Sequence, residues 1–246
     1  MPDLDVLLIA APTFIAAYAV FAMVGFGTTL ISAPIVAQVV PLPTLIPAQA
    51  LLDLVASIGN GMKLGAHLAK KEVLRMLPAM LAGLVLGAYL LLVIPMKALM
   101  VLLGAFVVLY ALRGMRSPAR RAPIRTGWAW WYGFSGGILS ALFGAGAWLY
   151  AIYLMRRLDD PRAIRASQTA MIAISAVTRV GLFVVAGKYS DWNVIGLSLT
   201  MLPAMALGVY LGNRYAHRLD RAKFIRVLHL VLLATGSALL VRGLTA

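Results

Sequence analysis

The feature that most restricts this chain is a pair of glycines set inside an uninterrupted apolar run, and then set there a second time. Ala22 to Leu30 reads AMVGFGTTL, and 119 residues later Ala141 to Leu149 reads ALFGAGAWL. Ala22/Ala141, Gly25/Gly144, Gly27/Gly146 and Leu30/Leu149 are identical, and Gln49 meets Gln168 at the same offset. Glycine lets helical backbone unwind. Unwound backbone at membrane depth is tolerated only where it is buried in protein or lines a cavity, so a break repeated once per half chain is what a membrane carrier needs at its centre.

The setting of those breaks is a bilayer. Hydrophobic residues make up 62% of the 246 positions and charged residues 12%, with a mean hydropathy of +0.92. Apolar stretches of 15 to 37 residues recur, and a helical span needs roughly 20. The chain reads as an all-α, polytopic helical membrane protein, with residues 1–246 forming a single membrane domain. No Lys or Arg precedes Lys63, so the N-terminus is expected to belong to the first membrane segment rather than to a secretory signal with a basic leading region. The absence of cysteine excludes disulfides and thiolate metal sites. Three scattered histidines, His67, His217 and His229, make no metal site, and no cofactor is expected. Nothing resembles a Ser/His/Asp or HExxH arrangement, a Walker loop or a dinucleotide fingerprint, so the chain does not read as an enzyme.

The net charge of +14 would suit nucleic acid, but its placement argues otherwise. Of 22 basic residues, 17 fall in four clusters: 70–75, 113–125, 156–165 and 214–226. The positive-inside rule makes all four cytoplasmic, a solvated and headgroup-facing surface, and no nucleic-acid partner is expected. That demand sets a topology. Residues 44–66 cross inward, 76–94 outward and 98–112 inward. The run 127–155 starts and ends at basic clusters, so it must enter and leave on one side as a re-entrant hairpin bent at Phe143–Gly146. Residues 166–187 then cross outward, 192–213 return, and 227–241 end outside. By repeat symmetry residues 4–40 form the matching hairpin, bent at Gly25–Gly27. Each half is a hairpin plus three crossings, an odd count, which predicts two inverted-topology repeats: 1–112 and 127–246, joined by a cytoplasmic linker at 113–126. Leu77–Gly87 and Leu202–Gly212 share seven of eleven positions in support. The final spans, 15 residues each, are short enough to require snorkelling of Lys97, Arg113, Arg226 and Arg242 or local thinning. Trp128, Trp130, Trp131 and Tyr132 read as an interfacial belt. The runs Ala79/Gly83/Gly87 and Ala204/Gly208/Gly212 read as helix-contact faces.

Chemistry is expected on two helices. Gln49, Asp53, Ser57, Asn60 and Lys63 lie within about 120° of one another around a helix, and Gln168, Ser175 and Arg179 within about 40°. A charge at mid-span costs at least about 3 kcal/mol on insertion scales, so Asp53 and Arg179 should face a wet cavity or a partner. Arg179 reads as an anion ligand and Asp53 as a protonatable, ion-coupling group. The plainer alternative is a structural pair of Asp53 with Lys63 or Arg179. The second arm of each hairpin, starting at Thr28-Thr29 and at Ala147-Trp148, would aim free N–H groups and a positive dipole end at the bilayer centre. The expected substrate site therefore comprises Gly25, Gly27, Thr28, Thr29, Gln49, Gly144, Gly146, Ala147, Gln168, Thr169 and Arg179, with Asp53 coupling protons.

In these residues the chain resembles the TauE/SafE sulfite exporter family of membrane permeases. The resemblance rests on a glycine break followed by an apolar stretch and proline, here Gly25 to Pro34. It rests also on a second break, Gly144-Ala-Gly-Ala, followed by Ala166-Ser167-Gln168-Thr169 opening the next helix. Members of that family usually carry three or more consecutive glycines at each break, where this chain has Thr28-Thr29 and Ala147-Trp148, which implies a difference in substrate size or identity. The resemblance implies movement of a small anionic substrate, such as sulfite, sulfonates or related organic anions, across the bacterial inner membrane, often as export, without enzyme activity. A secondary transporter with alternating access is the leading expectation and a passive anion channel the alternative. A homodimer stays open as an oligomeric state.

Overall fold

A computed structural model describes residues 4–24, 27–61, 67–115, 123–215 and 221–245. Ten α-helices account for nearly all of them, and the described residues contain no strand. They are α1 (Leu4–Val24), α2 (Thr28–Val36), α3 (Leu42–Gly61), α4 (Lys70–Val93), α5 (Met96–Met115), α6 (Trp128–Phe143), α7 (Ala147–Arg157), α8 (Pro161–Val185), α9 (Trp192–Tyr215) and α10 (Arg221–Thr245). Helices α1, α4, α5, α8 and α9 are long and apolar enough to cross a bilayer, while the apolar parts of α3 and α10 are shorter, Leu42–Ile58 and His229–Thr245. The protein is a polytopic helical membrane protein.

Both expected breaks are present. Helix α1 stops at Val24, and α2 starts after Gly27, whose φ of 106° is left-handed. Helix α6 ends on Gly144 at φ 63°, with the turn closed by Ala145 N–H donating to the Leu139 carbonyl at 3.1 Å. An L side chain seldom adopts either conformation. The chain folds back after the second break, because Tyr150 of α7 packs its ring against Gly136 of α6. Helices α2 and α7 have 9 and 11 residues. At 1.5 Å per residue each is roughly 15 Å long, about half the hydrocarbon thickness.

Some boundaries differ from the sequence-based expectation. Helix α8 starts at Pro161 rather than 166, because Asp160 caps it by accepting from the Arg162 N–H at 2.9 Å and proline fits the first helical position. Helix α4 likewise begins at Lys70 rather than 76. Helices α5 and α10, expected as 15-residue spans, have 20 and 25 residues. Lys and Arg are good helix formers whose stems lie along apolar surface, so charge at a helix end does not stop the helix.

The two halves interlock. Helix α1 packs on α9 and α6 on α4, so each hairpin lies against the other half's glycine-rich helix; α3 packs on α8 and α5 on α10. Gly83 and Gly87 abut Phe134 and Ile138, while Gly208 and Gly212 abut Ile15, Tyr18, Ala19 and Ala22. A Cβ on Gly87 would lie 2.9 Å from the Ile138 Cα, and one on Gly212 2.9 Å from the Ala19 Cα. Small residues permit this approach where burying apolar surface gives helices no drive to associate. The expected contact faces are therefore real. Trp128, Trp130 and Trp131 are exposed, as a belt requires.

Candidate substrate site

The polar faces of α3 and α8 both turn inward. Gln49, Asp53 and Ser57 on α3 are buried, as are Gln168, Ser175 and Arg179 on α8. Where the two helices meet, Arg179 Nη2 donates to Asp53 Oδ2 at 2.9 Å, with the two side chains 3% and 6% exposed. Asp53 Oδ1 accepts from the Tyr18 hydroxyl at 2.9 Å and from Thr28 Oγ1 at 3.0 Å. One carboxylate thus ties together α1, α2, α3 and α8. Arg179 is less well served: Nε and Nη1 are buried without a hydrogen-bond partner. A buried guanidinium with two idle donors is costly unless something else occupies them.

Beside this pair lies a small cavity. Its wall includes Gly27, Thr28, Asp53, Gly144, Ala147 and Arg179, all expected from sequence, together with Phe21, Ser140, Tyr150, Ile172 and Ser175. The free space is about 20 Å³ for the centre of a water molecule, enough for one or two waters, since one needs roughly 10–15 Å³ on that measure. Both helix breaks reach it. The first N–H groups of α2 and α7 have no intrahelical partner; the helical ladder opens with Ile31 N–H donating to the Gly27 carbonyl and Leu149 N–H to the Gly146 carbonyl. The tips touch as well, since a Cβ on Gly144 would fall 2.7 Å from the Thr29 Cβ. One turn before Arg179 on α8, Ser175 shares a hydrogen bond of 2.5 Å with Ser140 of α6.

Other expected site residues stand off the cavity wall. Gln49 Oε1 accepts from Ser32 Oγ at 3.0 Å, and its amide nitrogen is buried and unpartnered, as is that of Gln168. Gly146 packs within its own hairpin against Gly136 and Ser140, and Thr169 is half-buried on α8. Thr29 keeps a buried, unpartnered hydroxyl at the contact between tips. Gly25, Lys63 and the side chain of Asn60 lie outside the described residues, as do residues 116–122 of the linker. Of the two structural pairings considered for Asp53, the one with Arg179 forms.

Sequence reasoning missed Tyr18, Tyr150 and Ser140, because a tyrosine or serine inside an apolar run is ordinary in membrane helices. It also missed a second buried carboxylate. Glu72, at the start of α4, accepts from the Tyr153 hydroxyl at 2.5 Å, Arg75 Nη1 at 2.7 Å and Arg157 Nη2 at 3.2 Å. Among the described residues no group of three or more His, Cys, Asp or Glu could hold a metal.

A helical bundle whose two broken hairpins and two inward polar faces converge on one buried arginine defines a membrane permease rather than an enzyme. The family model "Sulfite exporter TauE/SafE" matches residues 9–239. The chain belongs to the TauE/SafE family of membrane transporters. It is 27% identical over 191 residues, 77% of its own length and 80% of the relative's, to a probable inner membrane transporter protein, TsaS, of Comamonas testosteroni. No solved structure matches it.

Proposed function

We propose that the protein is a secondary transporter of small sulfur-containing or organic anions such as sulfite or sulfonates, working as an exporter in a bacterial inner membrane. The observation that carries this reading is Arg179: buried, with Nε and Nη1 idle, beside a cavity that both half-helix N-termini reach. An anion there would meet a fixed cation and two positive dipole ends, the arrangement used at the broken helices of secondary transporters. The relative's description as a probable inner membrane transporter supports the localisation, with the basic loops cytoplasmic.

In this reading the state described is too constricted to hold substrate. A space for one or two waters is too small for sulfite or a sulfonate, and Asp53 holds one arm of Arg179. Substrate therefore needs the hairpin tips to part and must compete with Asp53 for the guanidinium. Released from Arg179, Asp53 keeps its bonds from Tyr18 and Thr28 and takes up a proton, which couples anion to proton movement. The two halves would rock as inverted repeats around this point, exposing it to each side in turn. The narrowness of the cavity between the hairpin tips favours a carrier over a passive channel. Flux of sulfite and methanesulfonate into proteoliposomes tests the distinction: saturable, pH-gradient-driven uptake is expected, and non-saturating flux with large unitary currents would replace the carrier with a channel.

A further inference from the structure

Glu72 is 7% exposed and gathers its three donors from both halves of the chain. Arg75 lies on its own helix, but Tyr153 and Arg157 belong to α7 of the second half. Arg157 Nη1 also donates to the Ile124 carbonyl at 3.2 Å, just before α6, and the Ala69 N–H donates to Ser167 Oγ of α8 at 3.0 Å. The amino end of α4 is thus fastened to the carboxyl end of α7 and to α8.

The fastening communicates with the cavity along one helical face. Tyr150 lines the cavity; Tyr153, Leu154 and Arg157 follow it at spacings of three, four and seven, the stripe that stays on one side of a helix. Leu154 is wholly buried. The half-helix that presents its amino end to the site therefore carries the clasp at its other end. The clasp lies among the basic clusters, beside Lys70, Lys71 and Arg156. It also breaks the internal repeat. At the repeat offset of 119, Pro34 stands for Tyr153 and Gln38 for Arg157, neither of them ionisable, while Asp191 stands for Glu72.

We infer that the Glu72–Tyr153–Arg157 clasp is the gate on the basic-loop side of the transporter, held shut by charge. The inference rests on reading the central cavity as the transport site. Opening this side requires α7 to move with Tyr153 and Arg157, which separates them from Glu72. On the other face the matching half-helix α2 is held just past its carboxyl end by Arg242 Nη1, which donates to the Gln38 carbonyl at 2.6 Å, a single bond to a neutral acceptor.

The chain has no cysteine, so a single reporter, Ile172→Cys on the cavity wall, reads access without interference. Full-length protein carrying it would be reconstituted and treated with a charged, membrane-impermeant methanethiosulfonate from each face. Glu72→Gln and Arg157→Gln should speed labelling from the basic-loop face by roughly tenfold or more, the scale of a lost charge-assisted hydrogen bond, and leave the other face unchanged. Tyr153→Phe removes one hydroxyl without stranding a charge and should give a smaller acceleration on the same face. Arg242→Gln, which removes a 2.6 Å bond to the Gln38 carbonyl away from the clasp, should leave the basic-loop face as it was. Unchanged labelling in Tyr153→Phe and Glu72→Gln, or equal acceleration from both faces, would overturn the gate and leave a structural staple. The readout needs no substrate, so it stands or falls apart from the identity of the transported anion.

Discussion

Two side chains govern the site at the scale of single residues. Asp53 and Arg179 are each other's main compensation inside the protein, and removing one partner of a buried pair typically costs about 3–5 kcal/mol because the other charge is stranded. Asp53→Ala and Arg179→Ala should each lower the unfolding midpoint of purified protein sharply, and the double Asp53→Ala/Arg179→Ala variant should cost clearly less than their sum. Additive losses would mean the ion pair is not coupled. Gly144 and Gly187 both have positive φ, but only Gly144 has Thr29 where a Cβ would go; nothing lies within 4 Å at Gly187. Alanine at 187 should cost about 1 kcal/mol from backbone strain alone, and alanine at 144 distinctly more in the same unfolding measurement. The charges of this site were legible because an ionisable residue in an apolar run stands out. Tyr18, Tyr150 and Ser140 were not, since neither tyrosine nor serine is rare in a membrane helix. Glu72 was hidden for the opposite reason: it sits in a basic cluster at a helix start, where a carboxylate reads as solvated.

Helices meet through their glycines. Gly83, Gly87, Gly208 and Gly212 hold the α4–α6 and α1–α9 seams close, whereas Gly181 and Gly196 have open space around them. Isoleucine at 83 or 208 should therefore abolish stable, monodisperse protein in detergent chromatography. Alanine at 181 or 196 should be neutral or stabilising by about 0.5–1 kcal/mol, the usual gain from replacing glycine within a helix. Reversal of that order would mean the seams are looser than described. The contact faces and both breaks could be read from spacing, because close packing and positive φ demand glycine wherever they occur. Helix ends were read less well: charge marked the ends of α5 and α10 too early, and the Asp160-Pro161 cap on α8 was taken for loop.

For the molecule as a whole, the duplicated pattern announced two related halves but not their manner of assembly. The interlocking of α6 with α4 and of α1 with α9 depends on contacts such as Gly83 with Phe134 and Ile15 with Gly208, far apart in sequence, which no local period encodes. The proposed inversion of the halves makes its own prediction: single cysteines at 41 and 160, equivalent at the repeat offset of 119, should label from opposite faces of the membrane, 160 with the basic loops. Arg179 is proposed to receive the transported anion, and anion flux in proteoliposomes puts that role to the test. Asp53→Asn/Arg179→Gln removes both charges without stranding either, so it isolates binding from folding. Relative to Asp53→Asn alone, sulfite or methanesulfonate flux through the double variant should fall roughly tenfold or more, as expected for the loss of charge-assisted hydrogen bonds to the anion. Equal flux through the two variants would contradict the claim.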